Sequence, residues 1–311
     1  MTRGLGWFDA FREVVPEWAV VVLGLVTQLG DVWFLGVLVG MLYWIGTDDR
    51  DDIAAVAGLL LAGLSLITAL KHVFALPRPE RVLVAVEALP AAVHPLYEAT
   101  ATATGYGFPS GHALLSTIVY LSLAEYSDVS TRRRRFLGAA GLVTAVSLSR
   151  VGLGVHYLVD VVAGVAVGLV FLRLAWGLLN RYPTHRGTLG FGLAVGIAAA
   201  ALVTSRMDPD AVLLVGASLG AFAGWQLALL ARGLDAGQGP IRADRRLAVR
   251  AVAAGLVIAS LVGAIAYYWP VSLLAGSGAL GVAVAALVPV PELYRTERVR
   301  RLRQRSLSGS Q

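Results

Sequence analysis

The sequence predicts an all-α polytopic transmembrane helix bundle, and three observations predict it. Hydrophobic residues make up 57% of the 311-residue chain and charged residues only 15%, against about 25% charged in a typical soluble domain. Apolar runs recur from about Ala19 to Val290, near the roughly 20 residues that a spanning helix needs. The polar breaks between them are short and hold most of the charge. This composition excludes a disordered chain, a collagen and a disulfide scaffold. With no cysteine, thiolate metal sites and cysteine nucleophiles are excluded as well.

In chain order the expected helices are about 15–29, 31–46, 53–75, 110–127, 135–151, 157–179, 188–205, 211–231, 249–268 and 271–290. The first is short and carries Pro16 and Glu17 in its first turn, so it reads either as a span or as an interfacial helix. Asp31, after Gly30, is placed to cap the start of the second. The N-terminus lacks the apolar core and small-residue cleavage site of a signal peptide, so no processing is expected. Tyr267, Tyr268 and Trp269 read as an interfacial aromatic belt.

The charges orient the bundle. The net charge is +6, from 26 basic and 20 acidic residues, and every basic residue but Lys71 is arginine. Arg132–Arg135, then Arg181 and Arg186, then Arg242, Arg245, Arg246 and Arg250, then the tail from Arg295 to Arg305 all fall on one face if the helices alternate. The positive-inside rule makes that face, and the C-terminus, cytoplasmic. The acidic 47–52 break lands there too and counts for little under the rule. Nucleic-acid binding by the basic tail is set aside in favour of contact with anionic headgroups, and the tail's end reads as disordered. Gly216, Gly220 and Gly224 repeat a spacing that lets helices approach closely, a candidate dimerisation stripe.

Three short segments converge on the opposite face by alternation alone: Lys71 to Pro79 after the third helix, Pro109 to His112 at the start of the fourth, and Ser149-Arg150 followed by His156 and Asp160. A charged side chain at membrane depth costs at least about 2.5–3.5 kcal/mol and marks function by default. Lys71, Arg78 and Arg150 repel one another unless an anion joins them, and phosphate is the natural one. The acids in these segments, Glu80, Glu87, Glu98 and Asp160, form no matching cluster. Ser110 and Gly111 enter a helix, where backbone N–H groups can face the same anion. His156 and Asp160 are four apart and so share a helix face. A carboxylate beside an imidazole fixes its tautomer and supports developing positive charge, which makes His156 a candidate nucleophile. His112, with no carboxylate in its own segment, is the candidate general acid.

Lys71-x6-Arg78-Pro79, Pro109-Ser110-Gly111-His112 and Ser149-Arg150-x5-His156-x3-Asp160 together resemble the three signature segments of the type 2 phosphatidic acid phosphatase superfamily, in its membrane lipid-phosphatase branch. The resemblance covers about residues 10–180. It implies a six-helix phosphatase core over 1–180; the apolar runs beyond it predict about four extra C-terminal transmembrane helices over 181–293, followed by a basic tail over 294–311. It further implies metal-free hydrolysis of a lipid phosphomonoester or pyrophosphate, without a cofactor, through a phosphohistidine on His156. His112 would be the acid, with Lys71, Arg78, Ser110, Gly111 and Arg150 as phosphate ligands. The expected substrates are a polyprenyl pyrophosphate, phosphatidic acid or phosphatidylglycerophosphate, met at the outer face of the cell membrane. Two alternatives share the sequence: a phosphotransferase that passes the phosphoryl group to a hydroxyl acceptor, and a phosphatase fused to a transporter or partner-binding bundle. The superfamily resembled also includes the vanadium haloperoxidases, but a vanadate-dependent peroxidase ranks last, because those members are soluble.

The remaining polar residues read as structural. His72 adjoins Lys71 without a motif role, and His94 reads as a loop histidine. Tyr106 and Phe108 read as packing residues near a lipid entrance. Gln226, Asp208 and Asp210 are among the few polar groups of the C-terminal helices, which lack the ionisable pathway of a coupled transporter.

Overall fold

The computed structural model describes residues 17–45, 50–79, 105–235 and 272–291, with His94 and Tyr97. Nine α-helices and no strand occur among them. They are α1 (Glu17–Gln28), α2 (Val32–Ile45), α3 (Arg50–Phe74), α4 (Gly111–Tyr126), α5 (Arg132–Gly152), α6 (Leu158–Arg181), α7 (Arg186–Thr204), α8 (Pro209–Asp235) and α9 (Leu273–Leu287), with a single 3-10 turn at Pro183–His185. The all-α polytopic architecture is as expected, and each of these helices lies within a few residues of its expected place. The expected helix at 249–268, the arginines of 242–250, the Tyr267–Trp269 cluster, the basic tail, Asp48, Asp49 and most of the 80–104 stretch, with Glu80, Glu87 and Glu98, lie outside the described residues.

Length and apolarity let α3, α6, the stretch Pro183–Thr204 and α8 each cross a bilayer. The helix pair α1 and α2 adds a fifth span if counted together; the two are bent by 47° at their break. Helix α1 has 12 described residues, about 18 Å of rise, well short of a ~30 Å hydrocarbon core. Helix α4 has only 16 residues, but most of them are buried, so it is the inner post around which the others stand. Trp18, Val37, Trp44, Val170, Leu174 and Val203 face outward, an apolar exterior suited to lipid.

Between apolar helices in a bilayer the hydrophobic effect offers little, and small residues that allow close approach take over. Helix α7 lies tightly on α3 in this way: a Cβ added to Gly190 would stand 2.9 Å from the Ala55 carbonyl oxygen. The stripe of Gly216, Gly220 and Gly224 has the same use. It faces Ser277, Gly281 and Ala285 of α9, and a Cβ on Gly224 would come 2.7 Å from the Ala285 carbonyl oxygen. The stripe therefore packs α8 on α9 within one chain, where the sequence left a dimer contact open. Ser277 adds a 2.6 Å hydrogen bond from its hydroxyl to the Val212 carbonyl. Leu59, Leu114, Ile118, Leu179 and Trp225 belong to one continuous core, so α7 and α8 share apolar packing with α3, α4 and α6.

Ion pairs tie one end of this bundle. Arg186 donates to Asp52 at 2.7 Å, and Arg232 donates to Asp51. Both acids sit in the first turn of α3, where a carboxylate also complements the helix dipole. Arg132 meets Glu125 at 2.9 Å, and Arg135 Nε donates to the Ala124 carbonyl at 2.8 Å. The guanidinium groups of Arg186 and Arg232 lie over the rings of Tyr126 and Trp225. The three signature segments gather at the opposite end.

Candidate active site

Each segment is delivered by a local device. Helix α3 ends just beyond Lys71, where Ala75 takes φ of 48° and its N–H bonds to the Lys71 carbonyl at 2.8 Å. This is a left-handed C-terminal cap, held here by a residue with a Cβ at a cost of roughly 1 kcal/mol. Pro77 and Pro79 then keep the chain extended on either side of Arg78. Gly107 fixes that segment from the other side. Its N–H donates to the Leu76 carbonyl at 2.8 Å, and a Cβ there would stand 3.0 Å from Arg78 Cα.

The start of α4 is set by α6. Asp160, Gly164 and Gly168 recur at four-residue spacing on one face of α6. A Cβ on Gly164 would sit 2.5 Å from the Ser110 carbonyl oxygen and one on Gly168 would sit 3.0 Å from Thr117 Cβ. That approach brings the Ser110 N–H to the Asp160 carbonyl at 2.9 Å. The expectation that the Ser110 N–H faces an anion is therefore corrected, because a backbone carbonyl already holds it. The Ser110 hydroxyl is different: it is buried without a hydrogen-bond partner among the described residues. Gly111 leads α4, and a Cβ on it would meet only Ile67 Cγ1, at an ordinary 3.5 Å.

The two motif ends around His156 are joined by a tight turn. The Val155 N–H donates to the Arg150 carbonyl at 3.2 Å, with Gly154 at φ of 73°. Asp160 caps α6 by accepting the Tyr157 N–H at 3.0 Å, and the same oxygen lies 3.5 Å from His156 Nδ1. On the other side of the ring, Arg78 Nη1 lies 3.1 Å from His156 Nε2 and 3.3 Å from the Val155 carbonyl. A guanidinium only donates, so Nε2 presents its lone pair and the ring proton sits on Nδ1, toward Asp160. His156 and Asp160 are 3% and 0% exposed. Burial first, then the charges of Arg78, Arg150 and Lys71, pull the His156 pKa well below its ordinary value, so the imidazole is neutral near pH 7.

Arg150 is 2% exposed and donates from Nη1 to the Thr27 hydroxyl at 2.8 Å. The positive charges of Lys71 and Arg150 both act on His112. Thus Lys71, Arg78, Arg150, His112, His156 and Asp160 are brought together at one end of the bundle, where Ser110, bonded to Asp160, and Gly111 begin α4. Among the described residues no group of three or more His, Asp or Glu side chains is arranged to hold a metal ion.

Some of what surrounds the site was not read from the sequence. Asp31 does cap α2, accepting the N–H groups of Val32 and Trp33, but it also reaches His112, Oδ2 to Nε2 at 3.7 Å. The acids at this end are therefore more numerous than the signature segments alone suggested. Thr27 and Gly164 were likewise missed. The Asp160-x3-Gly164-x3-Gly168 spacing was the available signal for the last. His72 stays outside the cluster: its Nδ1 pairs with the Thr68 carbonyl at 2.9 Å, its Nε2 lies 3.5 Å from Asp208, and Tyr106 packs edge-on against the ring.

Comparison with known proteins gives the same assignment. The profile of the PAP2 superfamily matches residues 53–183. The chain is 31% identical over 154 residues to lipid phosphate phosphatase delta of Arabidopsis thaliana, covering 45% of this chain and 33% of that protein. It is 31% identical over 89 residues to phosphatidylglycerophosphatase B of Bacillus subtilis (27% and 44% of the two chains). It is 38% identical over 66 residues to lipid A 4'-phosphatase of Porphyromonas gingivalis (21% and 26%). The chain thus spans less than half the length of these curated relatives. No solved structure matches it. The residues matched to the PAP2 superfamily hold all three signature segments, and the three relatives are lipid phosphatases by name.

Proposed function

We propose that the protein is an integral membrane lipid phosphatase that hydrolyses a lipid phosphomonoester or pyrophosphate through a phosphohistidine on His156. The observation that carries this reading is the line Arg78–His156–Asp160, with a lone pair on Nε2 aimed into a group of cations. Names of relatives that act on lipid phosphates support the substrate class. In the reaction, oxygens of the phosphoryl group take the donors of Lys71, Arg78, Arg150, Ser110 and Gly111. His156 Nε2 forms a bond to phosphorus as the bond to the leaving oxygen breaks. The electron pair goes to that oxygen, and His112 gives it a proton. Asp160 stabilises the positive charge on the His156 ring. Water then attacks phosphorus, passing its proton to His112, and the phosphorus–nitrogen bond breaks with its electrons returning to Nε2. Inorganic phosphate leaves.

No metal has a step in this scheme. The lipid tail stays in the bilayer, and the site opens on the extracytoplasmic side, with the arginine-rich end and the C-terminus in the cytoplasm. Residues 1–180 form the catalytic core in this reading, and 181–293 an added bundle. The test is inorganic phosphate release by the purified protein over a panel of polyprenyl pyrophosphate, phosphatidic acid and phosphatidylglycerophosphate, with and without a chelator. Release that is abolished in His156→Ala and His112→Ala and indifferent to chelator is expected. Full activity in both variants overturns the reading. Transfer of labelled phosphate to a hydroxyl acceptor in place of water would make it a phosphotransferase.

A further inference from the structure

The family-matched residues begin at 53, yet the site is walled by a segment that precedes them. The break between α1 and α2 is seated on it. Thr27 accepts from Arg150 at 2.8 Å, and the Leu29 carbonyl accepts the Tyr120 hydroxyl at 2.6 Å. A Cβ on Gly30 would meet His112 Cδ2 at 3.3 Å, which leaves room for the ring and little more. Asp31 Oδ2 then stands 3.7 Å from His112 Nε2. His112 is thereby given a carboxylate from outside its own motif, as His156 is given Asp160 at 3.5 Å.

We infer that Asp31 is a positioning residue for the general acid: its carboxylate, at ion-pair distance, draws the Nε2–H of His112 toward itself, so that the proton passed to the leaving oxygen comes from Nδ1. The inference rests on the proposed reaction and deepens it. The groups that face His112 are Asp31 from the α1–α2 break, Lys71 from α3, Arg150 from α5 and His156 from the turn before α6. Of these only Asp31 is anionic. An imidazolium among these cations needs a counter-charge, and the carboxylate supplies it. Thr27 acts on Arg150 from the same break, so one bent helix pair sets both the acid and a phosphate ligand.

A leaving group that departs without a proton tests this. The full-length protein is assayed in mixed micelles with an alkyl lipid phosphate, whose alkoxide needs the proton, and with nitrophenyl phosphate, whose phenolate does not. Asp31→Asn keeps the cap on α2 and removes the charge. It is expected to lower the ratio of alkyl to nitrophenyl turnover by about tenfold and to move the basic limb of the alkyl kcat profile to lower pH. Asp31→Ala is expected to show the same ratio with a lower melting temperature, separating the cap from the charge. His112→Asn is the reference. If His112→Asn collapses the ratio while Asp31→Asn keeps the wild-type ratio and an unmoved limb, the inference is overturned and the proposed reaction stands. An equal loss on both substrates in Asp31→Asn makes the break a structural wall and also overturns it. If His112→Asn itself leaves the ratio unchanged, the general-acid reading fails and the inference goes with it.

Discussion

The two ends of the bundle pair their carboxylates with different bases. At the arginine-rich end, Asp52, Asp51 and Glu125 stand against Arg186, Arg232 and Arg132. At the site end, Asp160, Asp31 and Asp208 stand against His156, His112 and His72. An arginine keeps its charge at every physiological pH, so a carboxylate paired with it is a permanent clamp. A histidine can stand neutral or charged, so a carboxylate paired with it sets its tautomer and supports its charged form. The cations of the site end, Lys71, Arg78 and Arg150, are grouped around two such histidines.

Substitutions at the site end should act on catalysis, and those at the other end on stability. The largest effect is expected for His156→Ala: loss of phosphate release on the order of 10³-fold or more, with an unchanged melting temperature in detergent. A phosphatase signal near wild type in that variant would break the contrast outright. Next comes Lys71. Lys71→Met should lower kcat/KM by about 10²-fold, and Lys71→Arg should recover little of it, because a planar fork replaces a compact ammonium. Full recovery by arginine would mean that charge alone matters there.

A smaller effect joins the two readouts. Gly164→Val places a side chain against the Ser110 carbonyl and should cost about 1–3 kcal/mol of stability, with a loss of activity as α4 shifts. At the arginine-rich end, Arg186→Met should cost about 2 kcal/mol, read as a lower melting temperature, while kcat/KM keeps its wild-type value. The subtlest test is the pH profile. Because burial and the adjacent cations lower the His156 pKa from 6.5, the neutral imidazole persists as pH falls through that value. The acid limb of kcat/KM should therefore lie below pH 6.5, and Arg78→Met should move it upward. An acid limb above that value would contradict the geometry.

The helices were legible because each apolar run is closed by charge, Pro or Gly. The signature residues were legible because their spacing is local, as in His156 to Asp160. Contacts set by tertiary approach were not. Nothing near Asp31 in the chain announces His112, and Thr27 meets Arg150 across 123 positions. The Ser110 N–H looked available because a helix start usually exposes it. Only the close packing of Gly164 on α4 shows that the Asp160 carbonyl has taken it. Gly216, Gly220 and Gly224 had the right spacing for a helix contact, but spacing does not say whether the partner helix belongs to the same chain.

In the proposed reaction, the hydrogen bond from Arg78 to His156 Nε2 keeps the resting nucleophile latent. Its electron pair meets an N–H, not open space, so a stray electrophile that enters the cleft finds nothing to react with. Only a ligand whose oxygens draw Arg78 away uncovers it. On the proposed mechanism, recognition and arming are then one event, and reactivity is confined to groups whose oxygens can bind Arg78.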